Sequence, residues 1–291
     1  MYEIATLQLS RLSLYVILPT LMIIAVGLII ERVHPAGIVS LHQLVLNLSY
    51  SVLRTFLVAG TQPIGAAVTG LIVAWAGGGL IVLPSSGRGL ALGLTAYLVA
   101  MDCGEYAFHR AQHRIPALWA MHSLHHSDPA VNVSTALRHF WAEDLLKTGS
   151  IYLVVALLLR VNPVVSGLYA LIAISNFFFH MNLRIGYGRF SFIFNSPQYH
   201  RIHHSLEPEH RGRNFAAMLP IFDVLFGGYY RPRPGEYPRT GLYDADQPSG
   251  LIEAVLWPAR VLVRRCGEKP RGRAARGIDA VNRGALGNPI S

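Results

Sequence analysis

Long uncharged apolar segments alternate along the chain with polar, basic stretches. The first segment runs from Leu12 to Ile30 and a second, weaker one from His42 to Ala59. A third, Pro63 to Leu83, is rich in Gly and Ala, as packing faces inside membranes often are. The fourth, Gly89 to Phe108, leads directly into a group of histidines. A hydrocarbon core takes about 20 apolar residues per helix, and these four segments meet that length. Ile151–Leu159 and Val164–Phe179, separated by Arg160-Val161-Asn162-Pro163, read as a helical hairpin with shorter arms. Leu12–Ile30 reads as a retained helix. Its apolar core exceeds the roughly 7–15 residues of a signal peptide, and no small-x-small cleavage site follows it. The pattern predicts an all-α fold: an integral membrane helical bundle of about four spanning helices plus a hairpin.

Charge places this bundle. Only 14% of the 291 residues are charged and 52% are hydrophobic, whereas a soluble domain usually carries about 25% charged residues. Arg110, Arg114, Arg138 and Lys147 follow the fourth span, and 16 of the 25 basic residues lie from Arg184 onward. Because Lys and Arg mark cytoplasmic segments, both stretches are expected in the cytoplasm. Four spans before His109 then put the N-terminus, with Arg11, on that side as well, so an inner-membrane protein with both termini and every histidine cluster at the cytoplasmic face is expected. The net charge of +9 suits anionic headgroups, and no nucleic-acid-binding motif accompanies it. Cys103 and Cys266 form neither a disulfide framework nor a CxxC site. Four regions follow: transmembrane helices over 1–100, a catalytic region over 101–230, a loop and interfacial helix over 231–265, and a disordered basic tail over 266–291. In the third region, Leu251 to Val263 sets Trp257 at headgroup depth, with Pro258 shortening the helix.

Eight histidines carry the chemistry. They read His109-x3-His113, His122-x2-His125-His126 and His200-x2-His203-His204. Residues i, i+3 and i+4 share a helix face, so each cluster can aim two or three imidazoles at one spot. Eight exceed what one ion uses, which points to two metals. His180 ends the last apolar segment and is a ninth candidate. Asp102, Glu105, His109 and His113 fall within about 80° of one another on a helix. The two carboxylates are therefore expected to accept ring N–H groups or to add a carboxylate ligand. His139 and His210 have no partner at ligand spacing and read as ordinary histidines, while His34 and His42 fall on the opposite side of the expected topology.

A family resemblance rests on these residues. Asp102, Tyr106-Ala-Phe-His109-Arg110-x2-His113, Leu118-Trp119-x2-His122-x2-His125-His126-Ser127 and Asn132-x-Ser-Thr-Ala-Leu-Arg138 resemble the fatty acid hydroxylase / sterol desaturase superfamily. His180, Asn195-Ser-Pro197-x2-His200-Arg-Ile-His203-His204, Asn214-Phe215 and Asp223-x2-Phe226-Gly227 match its C-terminal signature. The wording around Phe108-His-Arg-Ala and Asn132–Arg138 is most similar to its alkylglycerol monooxygenase-like members. Tyr199 stands where a further histidine is common, and an insert with Glu207, Glu209 and His210 precedes Asn214. The resemblance implies a membrane-bound non-haem di-iron oxygenase. Such an enzyme hydroxylates or desaturates a lipid C–H bond with O2 and two electrons, in lipid metabolism. The implied ligands are His109, His113, His122, His125, His126, His180, His200, His203 and His204. Asn132 and Arg138 would hydrogen-bond outside that set, and Asn214 and Asp223 would brace the fold.

The implied cofactors are two iron ions, with zinc able to occupy such a site on purification. The implied partners are a lipid drawn from the bilayer and a separate electron-transfer protein, since no haem-binding or ferredoxin-type set is present. A histidine-rich metal transporter or metal-binding protein is the alternative. Transport favours ligands spaced along a path across the bilayer, whereas these flank the spans on one face. A zinc hydrolase needs about three ligands and commonly a general-base carboxylate, and the chain has no HExxH.

Overall fold

The computed structural model describes residues 12–84 and 86–267. A π-helical turn, Ser13–Ile17, leads into α1 (Leu18–Glu31). Helix α2 (Leu41–Trp75) is 35 residues long, about 52 Å at 1.5 Å per residue. Among the described residues it is the one helix long and apolar enough to cross a membrane by itself, with a mean hydropathy of 1.6. Its first turns bury Gln43, Asn47, Tyr50 and Ser51, while Ile64, Leu71 and Trp75 farther along are exposed. The polar start of α2 therefore packs on protein, and its apolar remainder presents a surface suited to lipid.

Pro63 sits inside α2, so the two spans expected over His42–Ala59 and Pro63–Leu83 are one helix. Proline removes one backbone hydrogen bond, but apolar membrane helices keep the helix through it when neighbours re-satisfy the freed groups. Beside Pro63, the Gln62 side chain accepts a hydrogen bond from Thr148 (3.0 Å), tying α2 to the neighbouring segment. A side chain at Gly65 would collide with Leu145, so α2 is held closely against that neighbouring segment.

After α2, Ile81–Val82 pairs in parallel with Leu159–Arg160. Helix α3 (Gly89–Arg114) then returns, and Ile115 in an extended conformation ahead of Pro116 breaks it from α4 (Pro116–His126). Helix α5 (Ala142–Lys147) passes through a π-helical turn, Thr148–Tyr152, into α6 (Leu153–Leu158). Asn162 caps α7 (Pro163–Ala173), which α8 (Ser175–Phe179) extends towards His180. The remaining helices are α9 (Pro197–His203), α10 (Ile221–Leu225), α11 (Leu251–Val255) and α12 (Trp257–Gly267).

These passes fix relative direction. Glu31 at the end of α1 accepts the backbone N–H groups of Val133 (2.7 Å) and Asn182 (2.9 Å), beside the histidines. The loop after α1 is pinned to the same place, with Ala36 N–H donating to Asn182 and Arg184 N–H to His34. Among the described residues the helix that carries His109 is the third, not the fourth, so the start of α1 lies at the end away from the histidines rather than beside them. His34 and the start of α2 at His42 lie at the histidine end, contrary to the sequence expectation. Arg11 and residues 268–291 fall outside the described residues.

The C-terminal pair corrects two further expectations. The helix predicted over Leu251–Val263 breaks at Leu256 and restarts at Trp257, running through Cys266 to Gly267. Trp257 is not at headgroup depth but fully buried with Tyr50, Leu124 and Ala254, and its indole donates to Ser123 Oγ (2.9 Å). This anchors α12 on α4, the helix that carries the second histidine cluster.

Candidate metal centre

Two proline-led helices carry the second and third clusters. Pro116 opens α4, and Ser196 caps α9 by accepting from Tyr199 N–H (3.2 Å) just before Pro197. Proline in the first turn costs no hydrogen bond and presets the helical dihedral, so short helices form where the histidines need them.

The nine histidines picked out by spacing come together as two groups. His109, His113, His122, His126 and His203 form one, and His125, His180, His200 and His204 the other, the ligand atoms within each lying within 4.8 Å of one another. The H-x2-HH spacing explains the division. Its first and last histidines, i and i+4, lie about 40° apart, while the middle one lies on the other side of the first, about 60° from it and about 100° from the last. Thus His122 and His126 enter the first group and His125 the second. The third cluster does the reverse, with His200 and His204 in the second group and His203 in the first. The second and third clusters therefore each serve both groups, whereas His109 and His113 both enter the first.

Hydrogen bonds fix which ring nitrogens face inward. His109 Nδ1 donates to Phe215 O (2.7 Å), His203 Nδ1 to Arg213 O (2.9 Å) and His180 Nδ1 to Asn176 O (2.7 Å). A carbonyl only accepts, so each Nδ1 carries the proton and each Nε2 keeps a bare lone pair. In the second group, Nε2 of His180 lies 2.9 Å from that of His200 and 3.2 Å from that of His125, and His204 lies 3.1 Å from His200. His126 and His203 approach at 3.1 Å in the first. His109 Nε2, His113 Nε2 and His122 Nε2 are buried without a hydrogen-bond partner among the described residues. With Nε2 bare on both rings, such separations are favourable only with a cation between them. Nitrogens about 2.1 Å from a common ion would be roughly 3.0–3.4 Å apart, close to the observed values, so the donor set fits a metal pair.

Burial supports the same reading. It is the largest cause holding His122, His125, His126, His200, His203 and His204 below the ordinary imidazole pKa, with neighbouring rings adding to it in most of them. These rings are neutral, the form that binds metal.

Two residues join the site that spacing did not reveal. His139 stacks on His125 with centroids 4.0 Å apart and donates Nδ1–H to Glu143 Oε2 (3.1 Å), so it is not an ordinary surface histidine. Glu143 also accepts from Gln112 Nε2 (2.7 Å) and lies 3.5 Å from His122 Nδ1. Burial opposes its charge, but the rings of His139 and His122 hold its carboxyl well below the usual range. The His139–Glu143 spacing of four residues was the available signal, although no apolar or histidine pattern marks Glu143.

Other expected residues act elsewhere. Asp102 accepts the backbone N–H groups of Met218 (2.9 Å) and Leu219 (2.8 Å), and Glu105 pairs with Lys147 (2.7 Å) and Tyr152 (3.0 Å). Neither accepts from a histidine ring, because backbone and lysine donors already occupy them. Asn132 caps the turn Val133–Leu137 reciprocally with Thr135. Arg138 is buried, donating to Gln43, Asn47, Ser127 and Leu124 O, which ties α2 to α4. Asp223 accepts from Tyr199 (2.6 Å) and from Ala216 N–H (2.7 Å), and Asn214 accepts from Tyr230 N–H (2.8 Å). His210 is buried against Ser205 Oγ (2.8 Å) and belongs to neither group.

A cavity of about 260 Å³ is lined by His109, His122, His125, His139, His180 and His200. Tyr169, Ala173 and Phe179 line it too, so an apolar chain held there would meet both groups.

The comparisons agree with this geometry. The chain is 34% identical over 165 residues to an alkylglycerol monooxygenase of Danio rerio, covering 56% of this chain and 35% of that protein. It is 31% identical over 133 residues to the Homo sapiens alkylglycerol monooxygenase, covering 45% and 29%. The ornithine lipid hydroxylase OlsE of Rhizobium tropici is 31% identical over 135 residues, covering 46% and 41%. The chain thus spans about a third of the length of the curated alkylglycerol monooxygenases it matches. No solved structure matches it. Residues 94–228, the stretch that holds every histidine of both groups, match the fatty acid hydroxylase family model.

Proposed function

We propose that the chain is a membrane-bound non-haem di-iron oxygenase that hydroxylates a lipid C–H bond with O2 and two electrons. The observation that carries this reading is the division of nine buried imidazoles into adjacent groups of five and four. Imidazole-rich sites suit iron and leave positions open for O2. His109, His113, His122, His126 and His203 would hold one ion, and His125, His180, His200 and His204 the other. Bound iron would supply the O2-derived oxidant. The chain's own residues fix the tautomers of His109, His180 and His203 and steer His122 through Glu143. They also enclose the substrate carbon between the rings and Phe179.

The relatives' printed names favour hydroxylation over desaturation. The basic residues at the histidine end support a cytoplasmic active site, in a bacterial inner membrane. There the same charge suits docking of a separate electron donor. Because both groups lie at one end of the helices, no ligand path crosses the bundle as a transporter requires.

The test combines metal analysis with lipidomics. The reading expects two irons per chain and, in cells carrying the protein, a lipid that has gained one oxygen atom and depends on O2. Metal uptake into proteoliposomes, with no oxidised lipid under O2 and reductant, would overturn it in favour of transport.

A further inference from the structure

Two loops leave the histidine end of the molecule and return to it. The first lies between Ile185 and Gln198 and is closed by Gln198 N–H donating to Ile185 O. The second runs from Asn214 to Tyr230 and is closed by Asn214 N–H donating to Gly228 O and Tyr230 N–H donating to Asn214 Oδ1. The second loop lies along one stripe of α3. Asp102 takes the N–H groups of Met218 and Leu219, and Tyr106 packs on Phe222 and Phe226 with ring centroids 5.9 and 5.6 Å away. Arg110 donates to Phe226 O (3.1 Å). Asn195 ties the first loop to the deep end of the second, its N–H donating to Met218 O and its amide to Ala216 O and Ala217 O.

Asp102, Tyr106 and Arg110 are spaced four apart, so Met218–Phe226 runs beside about 12 Å of α3. A hydrocarbon core takes about 20 residues of helix. Counted from Gly89, where α3 begins, those residues end at Phe108. The loop therefore lies beside the last turns of the apolar segment, and only its Arg110 end passes beyond them. The outward side chains match that depth. Ile221, Leu225 and Phe226 of the second loop are exposed, Leu225 by 67%, and so are Phe190, Phe192 and Phe194 of the first. So many large apolar side chains on neighbouring loops are unusual on a surface that faces water. The cations stand at the other end. Arg110 holds Phe226 O and Arg213 holds Gly227 O (2.9 Å), at the level where lipid phosphates would lie.

The backbone gives an independent reason. Irregular chain at membrane depth is tolerated only where the protein itself satisfies its polar groups. Asp102 and Asp223 take the N–H groups of Ala216, Met218 and Leu219. Asp223 O takes those of Gly228 and Tyr229, while Asn195 serves the carbonyls of Ala216 and Ala217.

We propose that the tips of these two loops insert into the acyl region of the leaflet at the histidine end, forming a re-entrant element that anchors the site beside the spanning helices. Bilayer hydrocarbon covers the patch, and Arg110 and Arg213 sit among the headgroups above it. Phe215 O, which orients His109, belongs to the second loop, so the segment that sets this tautomer is itself held by lipid. The proposal rests on the membrane-bound reading and adds to it a contact that no spanning helix makes.

The experiment uses the full chain with its metals, carrying Cys103→Ser and Cys266→Ser and one added cysteine at a time: Leu225→Cys, Phe194→Cys, Ile64→Cys or Glu209→Cys. Each cysteine carries a nitrobenzoxadiazole fluorophore, and the protein is placed in nanodiscs of phosphatidylcholine and phosphatidylglycerol. Ile64, exposed on the apolar part of α2, is the lipid reference, and the exposed Glu209 is the aqueous one. Labels at Leu225 and Phe194 should be quenched as strongly as that at Ile64 by a phosphatidylcholine bearing a nitroxide high on its acyl chain. Aqueous iodide should quench them several-fold less than the label at Glu209. Iodide quenching equal to that at Glu209 would overturn the insertion and make the patch a water-facing cap. Quenching by neither agent would overturn it in favour of a covering protein surface. A label at Ile64 reached by iodide and not by the nitroxide lipid would remove the membrane-bound reading itself, whereas a lipid-facing Ile64 beside a water-facing Leu225 removes the insertion alone.

Discussion

Replacing His180 with alanine takes one of four nitrogens from the second histidine group, while His113→Ala takes one of five from the first. The difference decides the outcome. Changes outside the ligands alone lower metal affinity about 10–100-fold, so loss of a direct donor should cost at least about 100-fold, or roughly 2.7 kcal/mol. The second group is then left with His125, His200 and His204, and no neighbouring ring replaces the lost Nε2. The first group, without His113, keeps four donors, as many as the intact second group has. His180→Ala also removes the Nδ1 donation to Asn176, worth about 1 kcal/mol, which is too little to unfold the chain. Iron per chain should therefore fall from two to one in His180→Ala and stay near two in His113→Ala. Lipid hydroxylation should vanish in the first and survive, weakened, in the second. Elemental analysis after dialysis against a mild chelator, beside turnover and thermal unfolding, reads all three. An His180→Ala protein that retained two irons and wild-type turnover would refute the five-and-four division.

Three further outcomes follow from the contacts. Glu143→Gln keeps an acceptor for Gln112 but loses the charge facing His122 and His139. Metal affinity should drop about 10–100-fold with the melting temperature little changed, as read by competitive chelator titration. Glu143→Ala should instead strand a buried Gln112 amide at a cost of about 1–3 kcal/mol, visible as a lower melting temperature. Trp257→Ala empties a fully buried site and should cost about 3–5 kcal/mol. Denaturant unfolding measures this, and proteolysis should show α12 released from α4. Stripping metal with a strong chelator should abolish turnover and lower the melting temperature, because the bare lone pairs then face one another. Iron(II) should restore both, since a ligand bound only by the native state stabilises it by mass action.

How much of this was legible in the sequence depends on how local each feature is. The i, i+3 and i+4 spacing of a histidine cluster is a property of a single helical turn, so the nine histidines could be picked out before any tertiary contact was known. Their sorting into two groups could not be read, because i, i+3 and i+4 span one face and the spacing allowed all three rings to meet at one spot. Glu143 was not legible. It reaches His122 across a separation of 21 positions and Gln112 across 31, and such meetings depend on how α5 lies against α3 and α4. Asp102 shows the converse. Helical phase put it on the histidine face, yet its carboxylate is taken by the N–H groups of Met218 and Leu219, donors that come from more than a hundred residues away.

Topology failed for a different reason, because it is a count, and one miscounted boundary inverts everything before it. The sequence pattern divided α2 into a segment ending at Ala59 and another starting at Pro63, and in water a proline there would break the helix, the freed carbonyl being readily hydrated. In an apolar setting the alternative to helix is an unsatisfied backbone, so α2 continues and the start of α1 moves to the far end. The histidine spacing is unaffected by that inversion, because it is set within single helical turns. The same inversion brings the end of α1 beside His180 and the loop that follows the second cluster. There Glu31 binds Asn182 N–H, two residues after His180, and Val133 N–H, seven residues after His126. The first helix, apolar and remote in sequence from every histidine, is therefore part of what holds the two groups in register.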